Sequence, residues 1–264
     1  MIGQIGTIYI IESLDKREYL TGSELHNDVL DKYYKYNPDE ENKLIYKLFT
    51  PADRKEFFEI LEFVKYNCEY AKQGILLHLE MHGGKDEGLQ LSNKEIIQWN
   101  EITEILTAIN LKICNKLYLC MATCFGRSLH NSVDIKKTSP YCGYLSASKV
   151  INVKEILSDY TIIYENLLKS KNIIMAYEDL ESKNKDSNFY YKDTDAVFQD
   201  LLDYTFDKIK NDETVRNELI DNIKKDMKIQ GVDTSEFDIP KMLELVQNDY
   251  RAKHYPKFVL KNCT

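Results

Sequence analysis

The sequence predicts an α/β fold, a mainly parallel sheet covered by helices, followed by a mostly helical C-terminal extension. Three observations lead there. Short, nearly continuous apolar runs such as "IGTIYIIES" (5–13), "GILLHLEM" (74–81) and "KLYLCMAT" (116–123) read as strands. Amphipathic segments separate them, and strands alternating with helices build βαβ units with helices on both faces of the sheet. Beyond about residue 180 the strand-like runs stop and helical spacing takes over. The expected division is a core over residues 1–180 and an extension over 181–264.

Taken in order, strand 5–13 leads to a helix-like segment, "SELHNDVLDKYYKYN" (23–37), which stops before Pro38 because a proline pushes its predecessor out of the helical region. "KLIYKLF" (43–49) reads as a second strand. The stretch 50–72 is the clearest helix: Thr50 offers an N-cap, Pro51 suits the first helical position, and Phe57, Leu61, Val64 and Cys68 recur at helical spacing. Strand 74–81, an extended "GLQLS" (88–92), a helix over 100–113 and strand 116–123 follow. A loop without pattern, 125–141, precedes strand "CGYLSASKVI" (142–151) and a helix over 153–169. Residues 181–195 are polar and linker-like. One or two amphipathic helices are expected over 196–229, and one more in the tail.

The chain's 264 residues are enough for one large domain with a substantial core, and its 43% hydrophobic and 30% charged residues are an ordinary globular balance. A net charge of −8 argues against direct nucleic-acid binding. It also leans weakly toward basic rather than acidic substrates. No run approaches the ~18 apolar residues of a membrane span. The opening "MIGQIGTIYIIES" lacks a basic stretch and breaks its apolar run at Glu12, unlike a signal peptide. A cytoplasmic protein is the expectation, and the six scattered cysteines suit reduced thiols.

The stretch "GILLHLEMHGG" admits three chemistries. A zinc peptidase needs H-E-x-x-H on a helix, and here the glutamate stands one place late, as His78-Leu79-Glu80-Met81-His82. On a strand, His78 and His82 share a face but lie roughly 13 Å apart, too far to hold one zinc. A zinc deaminase pairs H-x-E with P-C-x-x-C; His78-Leu79-Glu80 supplies the first half and nothing supplies the second. The third chemistry joins a histidine and a cysteine from separate strand ends. His82 ends its strand, followed by Gly83 and Gly84, and Cys124 ends another, followed by Phe125 and Gly126. Ligands collect at the carboxyl ends of parallel strands, and a thiol needs an imidazole to become a useful thiolate near neutrality.

"ILLHLEMHGG", "GLQLSNKEIIQW" and "KLYLCMATCFG", in that order and spacing, resemble the caspase-like cysteine peptidase superfamily, and most of all its CHAT branch. The resemblance covers roughly residues 74–170. Cys120-Met121-Ala122-Thr123 departs from the commoner serine-alanine pair before the nucleophile, and no helical-repeat array accompanies the domain. The resemblance implies a three-layer caspase-like α/β sandwich that cleaves protein or peptide substrates with a His-Cys dyad, without cofactor or metal. His82 would be the general base and acid, Cys124 the nucleophile, and the backbone N–H groups of Gly83 and Cys124 the oxyanion hole. It places the strand carrying Ser146 and Ser148 beside the substrate pocket. It further implies a regulated bacterial effector, several of whose relatives serve antiviral defence. An activating ligand or partner would bind through the C-terminal extension.

Two other classes stay open. A catalytically silent member could use the same cleft to sense a ligand or peptide. A zinc hydrolase or deaminase would depend on His78. For Cys124 the structural alternative is a buried thiol, the role also expected of Cys120.

Overall fold

The computed structural model describes residues 2–71, 73–229 and 239–260. Its strands are β1 (Ile5–Ser13), β2 (Ile45–Phe49), β3 (Gly74–Gly84), β4 (Gly88–Gln90), β5 (Ile96–Ile97), β6 (Leu117–Met121), β7 (Gly143–Ala147) and β8 (Phe189–Asp193). Six of them form the main path in the order β2-β1-β3-β6-β7-β8. The first five in that path pair in parallel, and β8 closes one edge antiparallel to β7. β4 and β5 make a small antiparallel flap on the end of β3.

The two-residue period of a strand sends alternate side chains into two cores. Tyr9 and Ile11 of β1, Leu77 and Leu79 of β3 and Leu119 of β6 enter the first. There they meet Phe57 and Leu61 of helix α3 (Arg54–Asn67) and Leu106 of α4 (Trp99–Lys112). Ile8 and Ile10, Leu76 and Cys120 enter the second. Its cover is α1 (Thr21–Glu24), the π-helical turn Leu25–Asp31, α2 (Lys32–Tyr36), α5 (Val153–Ser170) and α6 (Ile173–Lys183). Apolar runs are nearly continuous in β1, β3 and β6 because both faces are covered.

Several local expectations change. The helix expected from Thr50 begins at Arg54, capped by Asp53, whose side chain accepts the Glu56 N–H at 2.9 Å while Glu56 takes the Ala52 N–H at 2.8 Å. The Asp53 side chain thus satisfies an orphan donor of the first turn, which Thr50 does not do. The segment 181–195, expected to be a linker, contains β8. As an edge strand it buries little beyond Phe189, so its sequence stays polar. The expected boundary at 180 falls inside α6, and the chain beyond it continues into α7 (Thr194–Asn211), α8 (Glu213–Ile229) and α9 (Ile239–Phe258). Val197, Phe198, Leu202 and Phe206 of α7 and Phe258 of α9 enter the first core. Residues 181–211 thus complete both the sheet and one of its covers.

Cys68, Cys120, Cys124 and Cys142 are free thiols, as expected, whereas Cys114 is disulfide-bonded, against the expectation. Cys263 lies outside the described residues. Among the described residues no helix is long and apolar enough to cross a membrane.

Candidate active site

Parallel pairing of β3 with β6 sets His78 opposite Cys120 and ends with Leu79 opposite Met121. Four residues beyond the first pair, on both chains, come His82 and Cys124. The ladder stops at Met121, so one histidine–cysteine step lies inside the sheet and the other at its carboxyl rim, with Cys124 in the turn beyond β6.

The inner step is sealed. His78 and Cys120 are both fully buried, and burial pushes the Cys120 thiol far above its usual range. His78 Nε2 lies 3.1 Å from Glu80 Oε1 and Nδ1 lies 2.9 Å from the Tyr164 hydroxyl. The carboxylate accepts from Nε2–H, which leaves Nδ1 to accept from Tyr164. With both nitrogens engaged and the Tyr160 ring 4.5 Å away, centroid to centroid, His78 has no edge left for a reacting group. Glu80 also accepts from the Thr21 hydroxyl at 2.5 Å, and its strand neighbour Glu12 accepts from the Gly22 and Ser23 N–H groups at 2.7 and 3.1 Å. These residues are the polar seam on which α1 sits.

The outer step is open. The His82 side chain is 46% exposed, and its Nε2 lies 2.8 Å from Oε1 of Glu18, in the loop after β1. Cys124 is half-buried, and its thiol reaches the Ile151 carbonyl at 3.8 Å. Among the described residues no hydrogen bond joins the thiol to His82. The two share a cleft of about 110 Å³. Glu18, Tyr19 and Thr21 form one wall, Glu80 and Ala122 contribute from the strands, and Ile151 and Ile156 close the far side. The volume suits a single side chain. No lysine or arginine lines it.

Backbone geometry ties the two strand ends together. A Cβ built on Gly83 would stand 2.1 Å from the Cys124 carbonyl oxygen, so only glycine permits this approach. Phe125 then takes a left-handed conformation at φ 55°, unusual for a bulky residue and a feature that concentrates at functional sites. Its N–H donates to the Lys149 carbonyl at 3.3 Å, anchoring the turn to the segment after β7. The Cys124 N–H donates to no acceptor among the described residues.

Not every expected residue reaches this place. Ser146 is buried on the Tyr144 face of β7, which enters the first core, whereas the cleft opens on the opposite face; Ser148 is exposed. Neither lines the cleft. The zinc alternative lacks a donor set: His78 is committed to Glu80 and Tyr164, and among the described residues no cluster of three or more His, Cys, Asp or Glu side chains could hold a metal ion. Glu18 drew no attention in the sequence, because "SLDKREYL" has no motif. Its position follows from β1 lying beside β3, which only the strand order reveals.

By sequence, no family model and no curated protein matches the chain. Solved structures do. A secreted C11 cysteine protease from Bacteroides thetaiotaomicron, in complex with an irreversible peptide inhibitor, superimposes with a TM-score of 0.52 at 10% identity, over 77% of this chain and 70% of that one. A second structure of a secreted C11 cysteine protease from this organism, called iotapain, gives 0.51 at 8% identity over 80% and 71%. The fold is caspase-like. The Drosophila initiator caspase Dronc also aligns, at 12% identity, a TM-score of 0.48 and coverage of 74% and 83%. The caspase-like α/β sandwich with a helical C-terminal region, expected from the sequence, is the architecture observed. In this caspase-like sheet, His82 stands near the carboxyl end of β3, and Cys124 lies three residues past the end of the adjacent β6.

Proposed function

We propose that the protein is a caspase-like cysteine endopeptidase in which Cys124 is the nucleophile and His82 the general base and acid. The observation that carries this reading is the shared cleft: beyond the end of the β3–β6 pairing, His82 and Cys124 line the same 110 Å³. His82 takes the Cys124 proton as sulfur attacks the scissile carbonyl carbon. The oxyanion that forms meets the N–H groups of Gly83 and Cys124, where losing one donor costs about 2.7–4 kcal/mol in the transition state. The C–N bond then breaks, His82 returns the proton to the leaving amine, and a thioester remains. Water, deprotonated by His82, hydrolyses it and regenerates the thiol.

The net charge of −8 and the exposed Glu18 carboxylate at the cleft support a lysine or arginine before the scissile bond. A resting thiol turned to Ile151 rather than His82 supports regulation, since the pair must be brought together before reaction. The finer reading is a CHAT-like, cytoplasmic bacterial effector, with an antiviral role and an activating ligand or partner acting through the C-terminal extension. It rests on the sequence resemblance.

The test is intact-mass analysis after limiting iodoacetamide on wild type, Cys124→Ala and His82→Ala, followed by a peptide library. Single labelling that disappears in the first variant and slows in the second, with cleavage after basic residues, is the expected result. Labelling spread over several thiols and unchanged by either substitution would move the assignment to a silent sensing module.

A further inference from the structure

Most exposed ion pairs hold nothing in place, because two long side chains must be ordered against water. The pair formed by Glu18 and His82 is built differently. One carboxylate oxygen of Glu18 lies 2.8 Å from His82 Nε2, and the other accepts the Asp15 N–H at 2.8 Å. The Glu18 N–H in turn donates to the Asp15 carbonyl at 2.8 Å, so backbone and side chain close the same turn. Arg17 also donates to Asp15 through Nε at 3.0 Å and Nη2 at 2.8 Å, but its side chain is 89% exposed, so the backbone closure does the holding. The carboxylate is thus fixed before it meets the imidazole.

We propose that Glu18 is a positioning residue for His82, which would make the reactive group a triad of Cys124, His82 and Glu18; the inference rests on the dyad reading above. A carboxylate on Nε2 keeps the proton there and leaves the Nδ1 lone pair as the only one able to accept the Cys124 proton. When Nδ1 takes that proton, the imidazolium charge lies against Glu18, and when Nδ1 gives it to the leaving amine the Nε2 proton has not moved. The same arrangement fixes the ring plane, which a half-exposed histidine would otherwise lose to rotamer exchange. Other charged groups facing the pair are Asp15 and Arg17 on the same loop, Lys94 in the turn after β4, and Glu80 in the cleft. The Asp15 N–H bond first, and the His82 bond after it, hold the Glu18 carboxyl below its usual range, so it is ionised wherever the imidazole needs it.

The experiment compares full-length wild type, Glu18→Ala, Glu18→Gln and His82→Ala. Its readouts are the His82 tautomer, by long-range 15N–1H correlation on ring-labelled histidine, and the rate of Cys124 alkylation by iodoacetamide at pH 7. Glu18 is exposed, so thermal melting should be unchanged and serves as the check on folding. Wild type should show the Nε2–H tautomer. Glu18→Ala should lose it and alkylate about tenfold more slowly, the worth of one charge-assisted hydrogen bond. Glu18→Gln, which keeps a carbonyl acceptor, should restore the tautomer and part of the rate. A wild-type tautomer and rate in Glu18→Ala would overturn the proposal, and so would faster alkylation, which would make Glu18 a latch. If His82→Ala alkylates at the wild-type rate, the dyad itself fails; if only His82 matters, the dyad stands and Glu18 is removed from it.

Discussion

Glu12 and Glu80 stand directly opposite each other on adjacent parallel strands, both side chains buried, with the N–H groups and hydroxyls of one short helix as their cover. Two carboxylates so placed cannot both be comfortable when charged. Burial, and to a lesser degree the charge of Glu80, raises the Glu12 carboxyl above its usual range, although bonds from Ser23 and Gly22 pull the other way.

The sign of the resulting pH dependence follows from linkage. A carboxyl that binds its proton more tightly folded than unfolded favours the folded chain below the unfolded value of about 4.3, and that advantage is lost as pH rises through the folded value. Glu12→Gln removes the ionisation. The variant should therefore gain stability relative to wild type between pH 4 and pH 7, read as urea midpoints at each pH. A difference that does not change with pH would show that Glu12 titrates normally.

The two histidines of β3 should separate stability from reactivity. His78→Ala strips Glu80 of a buried hydrogen-bond donor and should cost about 1–3 kcal/mol, the usual cost of leaving a buried polar group unsatisfied. His82→Ala removes a half-exposed ring and should cost less than about 1 kcal/mol. Denaturant titration of both variants decides it; similar losses would contradict the division into a sealed step and an open one.

Gly83 and Gly84 offer a matched pair. At Gly83 a methyl group would meet the Cys124 backbone, whereas at Gly84 it would meet the far end of the Glu87 side chain, which can swing away. Gly83→Ala is expected to lower Cys124 alkylation at least tenfold and stability by about 1–3 kcal/mol. Gly84→Ala should leave both near wild type. Equal effects would remove the close approach from the account of the site.

Phe198 of α7 is fully buried, its ring 5.3 Å from Phe258 and 5.2 Å from Tyr255. Phe198→Ala should cost about 3–5 kcal/mol in a single cooperative transition shared with the sheet. A separate, earlier transition confined to the C-terminal helices would show that they fold as an independent unit.

The parts of this molecule legible in the sequence are those where burial writes a pattern. β1, β3 and β6 announce themselves because both faces are apolar, and α3 and α5 because one face is. His82 and Cys124 stand out because each follows such a run with a glycine one or two residues on. β8 was not, because an edge strand keeps polar residues on its open face and "FYYKD" looks like linker. Glu18 was not, because its partner lies 64 residues away and nothing local marks a loop carboxylate as fixed. The place of Ser146 was not legible either, because alternation along β7 says that residues share a face without saying which core that face meets.

The approach of Gly83 to Cys124 constrains which changes of sequence this site tolerates. What holds the two strand ends together is a contact between main chains, and a main chain spells no letter of its own. The surrounding side chains are free to drift so long as no carbon is added at one position and the register of two strands survives. Chains 8–10% identical can then share this shape. The position this site guards most closely is defined by an omission, a side chain missing where one strand ends.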